Sequence, residues 1–264
     1  MKKISIGIAF SGGSARGIAH IGVLKALQEA DIYPTVIAGT SAGAIVGAMY
    51  AAGKTPAEML EFVKQNSLFK VFKPGLPFNG LSRLTVVQEQ LEKYIPHNSF
   101  EGLERKLYVI VTNMNTGSEE RLFSGSLSKA VVASCSIPML FSPVEINGSL
   151  YSDGGIMNNL PTDVLLGKVD MVIGVNVMPL YHTDSSNLNS VLGVGIRTFE
   201  LSIWNNTMPN LLSCDVVIEP DEINKYNILS VQKADTIYQK GYEAAKRALP
   251  DILERISEHK RGKT

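Results

Sequence analysis

The chain is poor in cysteine, in net charge and in long apolar runs. Two cysteines among 264 residues, Cys135 and Cys214, are too few and too widely spaced for a disulfide framework or a thiolate metal cluster. They read as buried thiols of a reducing compartment. Lys and Arg total 25, as do Asp and Glu, leaving a formal net charge of zero. With no excess of either sign, no global field draws the molecule to nucleic acid or to an anionic membrane. The longest helix-like apolar run, Ala42 to Ala52, falls far short of the ~20 residues that a membrane-crossing helix needs. Lys2 and Lys3 precede an apolar stretch, but Gly12-Gly13 breaks it and no cleavage site follows, so it does not read as a signal peptide. Neither an internal repeat, nor a low-complexity tract, nor a carboxylate cluster resembling a calcium loop is present. The expectation is a cytoplasmic protein that needs no metal and no cofactor.

What is present is a regular alternation. With 45% hydrophobic residues the chain can build a substantial core. Strand candidates are Ile4 to Phe10, Thr35 to Ala38, Leu107 to Asn113, Glu120 to Phe123, Met171 to Val177 and Asp215 to Ile218. Helical patterns fall between them at Arg16 to Ala30, Ala42 to Ala52, Pro56 to Gln65, Val86 to Tyr94, Leu127 to Ala133, Leu188 to Asn205 and Val231 to Ala248. Strands alternating with helices predict an α/β fold, a mainly parallel sheet covered on both faces. The seams at Ser67 to Ser82 and Thr183 to Asn189 are too short to separate domains, so residues 1–264 are expected to form one.

Three glycine-bearing turns carry the chemistry. In Gly39-Thr40-Ser41-Ala42-Gly43, a serine between glycines stands where an apolar strand passes into an apolar helix. Such a turn thrusts a hydroxyl out of a sheet as an exposed nucleophile, beside the positive end of a helix. Upstream, Gly12-Gly13-Ser14-Ala15-Arg16-Gly17 follows the first strand. Backbone N–H groups freed by that turn can converge on an anionic oxygen, which makes Gly12, Gly13, Ser14 and Arg16 candidates for an oxyanion hole. A dinucleotide loop is excluded because Ser14 replaces the middle glycine and the second strand ends without a carboxylate. A phosphate-binding Walker loop is excluded because no Lys-Ser or Lys-Thr pair follows the glycines. The third turn, Ser152-Asp153-Gly154-Gly155, ends a β-ribbon whose two strands are joined at Asn147-Gly148, a strong hairpin signal. By itself Asp153 also reads as a turn-initiating aspartate.

Together these segments resemble the patatin-like phospholipase family, Ser-Asp dyad lipid acyl hydrolases, and specifically its short bacterial members. The likeness runs from the first strand through Pro161 and includes Ser134-Cys135-Ser136-Ile137-Pro138 and Phe141-Ser142-Pro143-Val144. It implies a three-layer α/β/α fold, Ser41 as nucleophile, Asp153 as its base, and oxyanion donors from the turn at Gly12, Gly13 and Arg16. Gly39 and Gly43 shape the nucleophile turn, Gly154 and Gly155 the aspartate loop, and Asn159 with Pro161 matches the polar tail after the aspartate. One departure is Ser14, where many members have a further glycine.

Of four histidines, His20 falls on the helix behind the first loop and is expected to support that loop or to pack rather than to titrate in the reaction, and His259 falls in the charged C-terminal tail, Glu254 to Lys263, and is expected to be solvated. His182, after the strand Met171 to Val177, stays open as a rival base. The expected reaction is hydrolysis of a lipid or other acyl ester through an acyl-Ser41 intermediate. An acyltransferase with the same nucleophile and a non-catalytic lipid-binding module are the alternatives. The segment Leu68 to Leu81 holds Phe69, Phe72 and Phe78 between lysines, prolines and glycines. Those rings either pack on the core or form a flap that touches the membrane peripherally.

Overall fold

The computed structural model describes residues 4–65, 80–226 and 230–261. Strands β1 (Ile6–Phe10), β2 (Val36–Thr40), β3 (Lys106–Asn113), β4 (Ser118–Leu122), β5 (Val144–Ile146), β6 (Ser149–Asp153), β7 (Met171–Val175) and β8 (Val216–Ile218) form one sheet. Its order is β5-β6-β3-β2-β1-β7-β8, with β4 also paired to β3. The pairings β1–β2, β1–β7, β2–β3 and β7–β8 are parallel. The antiparallel ones, β3–β4, β3–β6 and β5–β6, gather at one side. The expected hairpin closes there, with Asn147 and Gly148 both at positive φ, 50° and 82°, as its turn requires.

The helices are α1 (Ile18–Glu29), α2 (Ala42–Ala51), α3 (Pro56–Gln65), α4 (Gly80–Tyr94), α5 (Leu127–Ser134), α6 (Val191–Leu212) and α7 (Ala234–Arg261). Alternation along the strands sorts the two faces. Ile8, Phe10, Ile37 and Val109 point into the larger core, shared with α1, α2, α3, α5 and α7. Ala9 and Ala38 point the other way, where Leu160, Val164, Leu165 and Leu211 of α6 cover them. Small residues on that second face let an irregular segment, 160–170, lie directly on the sheet. A Cβ on Gly7 would already crowd Val169 and Leu165, at 3.0 and 3.2 Å. The result is the α/β/α arrangement, with one helical layer thick and the other thin.

Element boundaries depart from expectation in places. The tail read as solvated belongs to α7, because Ile252 is buried and Ile256 packs against the core while Arg255 pairs with Asp251 one turn back. Similarly, α6 begins and ends later than expected, at Val191 and Leu212. Helix α2 is buried on all sides, as a core helix should be. Both cysteines are free and largely buried, each keeping some exposed surface. Phe69, Phe72 and Phe78 lie outside the described residues.

Candidate active site

The C-terminal ends of parallel strands are where an open α/β sheet offers a crevice, and the three turns meet there. Register explains how. Thr40 of β2 pairs with Ile110 of β3, and Val111, one residue on, pairs with Asp153 of β6. Ser41 and Asp153 thus leave the sheet at the same level on either side of β3.

Ser41 adopts φ 53° and ψ −122°, a strained left-handed conformation for a residue with a side chain. The surrounding contacts enforce it. The Ser41 N–H donates to Ser134 Oγ at 2.8 Å, and that hydroxyl donates to the Ile110 carbonyl at 2.6 Å. Gly43 lets α2 start against the end of β1, since a Cβ there would collide with the Phe10 carbonyl.

Asp153 is 2% exposed. Its Oδ1 accepts from the Gly155 N–H at 2.8 Å, and its own N–H donates to the Ser136 carbonyl at 3.0 Å. Gly154 permits the turn, because a Cβ would strike the Ile110 carbonyl. Burial pushes the Asp153 carboxyl up from 3.8 to about 7, against smaller opposing contributions from the Gly155 N–H and the Ser41 hydroxyl. A carboxylate near neutrality is a usable base. Cys135 touches the pair as well; burial and the neighbouring Asp153 charge push its thiol up, which keeps it protonated.

The glycine turn divides its amides. The Gly12 N–H donates to the Asn159 carbonyl at 3.2 Å, and the Arg16 N–H to the Gly13 carbonyl at 3.0 Å. Neither is free for an oxyanion. Gly13 and Ser14 keep N–H groups without a partner among the described residues. Ser14, at φ 50°, holds the left-handed conformation that a glycine would adopt without strain. Arg16 turns its guanidinium away to the Tyr226 carbonyl at 2.6 Å and over the Tyr181 ring at 5.3 Å. It anchors the turn.

His20 supports the same turn from beneath. Its Nε2 lies 2.9 Å from the Ser11 carbonyl, which can only accept, so Nε2 carries the proton. Full burial lowers its pKa to about 4, against the Ser11 bond, and it stays neutral. His182 is exposed and is not part of the cavity wall, which receives its neighbour Tyr181 instead. His259 sits on α7, with Nδ1 3.0 Å from the Arg255 carbonyl.

A cavity of about 280 Å³ joins these groups. Gly12, Gly13, Ser14, Ser41, Asp153 and Asn159 form its polar end. Ile137 to Leu140 and, from α6, Ile196, Phe199 and Ile203 form an apolar wall. Sequence patterns did not single out the α6 side of that wall, because α6 is apolar around most of its girth and shows no one-sided stripe. Among the described residues no three His, Cys, Asp or Glu side chains cluster as a metal site.

The family model for patatin-like phospholipases matches residues 8–166, which contain all of these turns. The chain belongs to the patatin-like phospholipase family. It is 30% identical to an uncharacterised NTE family protein of Mycobacterium tuberculosis, over 94% of this chain and 48% of that protein. It is 29% identical to the lysophospholipase nte1 of Aspergillus fumigatus, over 94% of this chain and 18% of that protein. The chain therefore spans about half the length of the mycobacterial relative and a smaller share of the fungal one. Among solved structures, VipD from Legionella pneumophila aligns with a TM-score of 0.45 at 14% identity, over 97% of this chain and 80% of that one.

Proposed function

We propose that the chain, as a single unit over residues 1–264, is a serine lipid acyl hydrolase that cleaves carboxylic ester bonds. The observation that carries this reading is the meeting of the Ser41 hydroxyl with a buried Asp153 carboxylate of pKa about 7 at the polar end of an apolar-walled cavity. Asp153 takes the hydroxyl proton as Ser41 Oγ bonds to the ester carbonyl carbon. The carbonyl oxygen becomes an anion facing the Gly13 and Ser14 N–H groups, each such donor being worth about 3 kcal/mol. Collapse breaks the ester C–O bond, and the proton on Asp153 passes to the leaving alcohol. Water, deprotonated by the same carboxylate, then attacks the acyl-Ser41 ester, releasing a fatty acid and restoring the hydroxyl.

The apolar wall suits an acyl chain, and a phospholipid or lysophospholipid ester fits the family and the fungal relative's name. Among the described residues no helix is long and apolar enough to cross a membrane. The proposed setting is cytoplasmic with peripheral lipid contact, in which Phe69, Phe72 and Phe78 are candidate contacts. A fluorophosphonate probe tests the central claim: it should label the wild-type protein and spare Ser41→Ala. Labelling of both proteins, or of neither, would remove the assignment.

A further inference from the structure

Asn159 is 1% exposed, yet neither Nδ2 nor Oδ1 has a hydrogen-bond partner among the described residues. Buried carboxamides normally find partners, because an unmade hydrogen bond in the interior is costly. The backbone of Asn159 is by contrast fully engaged: its carbonyl accepts from the Gly12 N–H at 3.2 Å and its N–H donates to Asn206 Oδ1 at 2.9 Å. Asn206 in turn donates from Nδ2 to the carbonyls of Gly155 and Ile156, at 2.8 and 3.1 Å. The backbone is thus held firmly while the buried polar atoms of the side chain are left unpaired, and the residue lines the cavity between the two loops that carry the proposed chemistry. A methyl group placed on Gly12 would lie 2.5 Å from Asn159 Oδ1 and 3.2 Å from Ser41 Cβ. One placed on Gly155 would lie 3.0 Å from Asp153 Oδ1 and 3.2 Å from Asn159 Oδ1. The glycines at both positions leave the carboxamide room beside the nucleophile and the base.

Resting on the hydrolase reading above, we propose that Asn159 is a further catalytic residue, its carboxamide N–H₂ donating to the oxygen that becomes negative when Ser41 attacks the ester. With the Gly12 and Arg16 amides already spent, Gly13 and Ser14 supply two donors and Asn159 the third. The atom finds its partner only when the tetrahedral oxygen forms, and that is the condition for lowering a barrier rather than tightening substrate binding. Rotation of the carboxamide about its last bond presents Nδ2 where Oδ1 now stands without moving the backbone.

The test compares wild type with Asn159→Ala and the near-isosteric Asn159→Leu on a short soluble ester. The expected result is a fall in kcat of about 10²- to 10³-fold with little change in KM. Affinity for a trifluoromethyl ketone, which forms a tetrahedral anion on Ser41, should fall by a matching factor. Thermal stability of Asn159→Leu should hold or rise, since two unpaired polar atoms are removed. A structural role predicts the reverse, a lower Tm, and that result overturns the proposal. So does a burst of alcohol release at the wild-type rate followed by slow turnover, which would place Asn159 in the water step. So does unchanged kcat in an active background. If wild type itself neither turns over esters nor labels with the phosphonate, the hydrolase reading fails and the assignment of Asn159 falls with it.

Discussion

In the proposed mechanism Asp153 works as a carboxylate, the form that its burial disfavours. In the unfolded chain it loses its proton near 3.8, in the folded protein near 7. Between those values the folded state holds a proton that the unfolded state has lost, so stability falls as pH rises through the window and levels off above it. For a fully buried carboxyl the accumulated cost is on the order of a few kcal/mol. Asp153→Asn should therefore be inactive at every pH yet unfold at a higher temperature than wild type at pH 8, with the difference closing toward pH 4. In wild type, kcat/KM should rise along an acid limb centred near 7. Thermal melts across pH, beside rate profiles, check both; an acid limb near 4 with no difference in stability would show the carboxylate to be solvated. The convergence of Ser41 and Asp153 on one cavity was legible because local glycine turns mark both residues. The spent amides of Gly12 and Arg16 were not, since one depends on Asn159, distant in sequence, and the other on the single tight helical turn that carries it back to the Gly13 carbonyl. His20 was legible as support for the turn from its place on α1.

At the scale of elements, helix α1 meets α7 through two glycines. A Cβ on Gly22 would collide with the Tyr238 carbonyl, and one on Gly241 with the Ala19 carbonyl. Helix backbones in such contact have no room for a methyl group. Overpacking of this kind costs about 1–3 kcal/mol, partly offset by the ~0.4–1 kcal/mol that alanine gains over glycine through a less disordered unfolded chain. Because the obstacle at Gly241 is a backbone carbonyl, the upper end of that cost applies, a net of about 2–2.6 kcal/mol, and Gly241→Ala should lower Tm by roughly 4–10 °C at about 2–4 °C per kcal/mol, followed by circular dichroism. An unchanged or higher Tm would mean that the helices do not touch through their backbones. Strand positions were read well, because the central strands are continuous apolar runs buried on both faces, with glycines flanking several of them. The far end of α7 was read only as a charged, solvated tail: its charges hide a helix until Ile252 and Ile256 are seen to share the core face. Helix pairing decides that, and one segment's composition does not reveal it.

For the whole molecule, the question is what α6 faces. One side supplies Ile196, Phe199 and Ile203 to the cavity wall, while Val191, Val194, Leu201, Met208 and Leu212 recur along its exposed side at spacings of three, four and seven. Val191 is 92% and Leu212 85% exposed. Nearby, Met139 is another cavity-lining residue that is half exposed. The same helix therefore carries both an exposed apolar face and one wall of the cavity, an arrangement through which the proposed hydrolase would draw a lipid from an aggregate without passing it through water. Burying a valine or leucine contributes about 1.5–3 kcal/mol, and each 1.4 kcal/mol is tenfold in affinity. Replacing Val194 and Leu201 together with aspartate should thus reduce hydrolysis of phospholipid vesicles at least tenfold. Turnover of a short soluble ester should change less than twofold, because neither side chain lines the cavity. Sedimentation with vesicles should show weaker association of the double variant. An equal loss on both substrates would place the damage in the fold, and full activity on vesicles would mean that α6 does not meet the lipid.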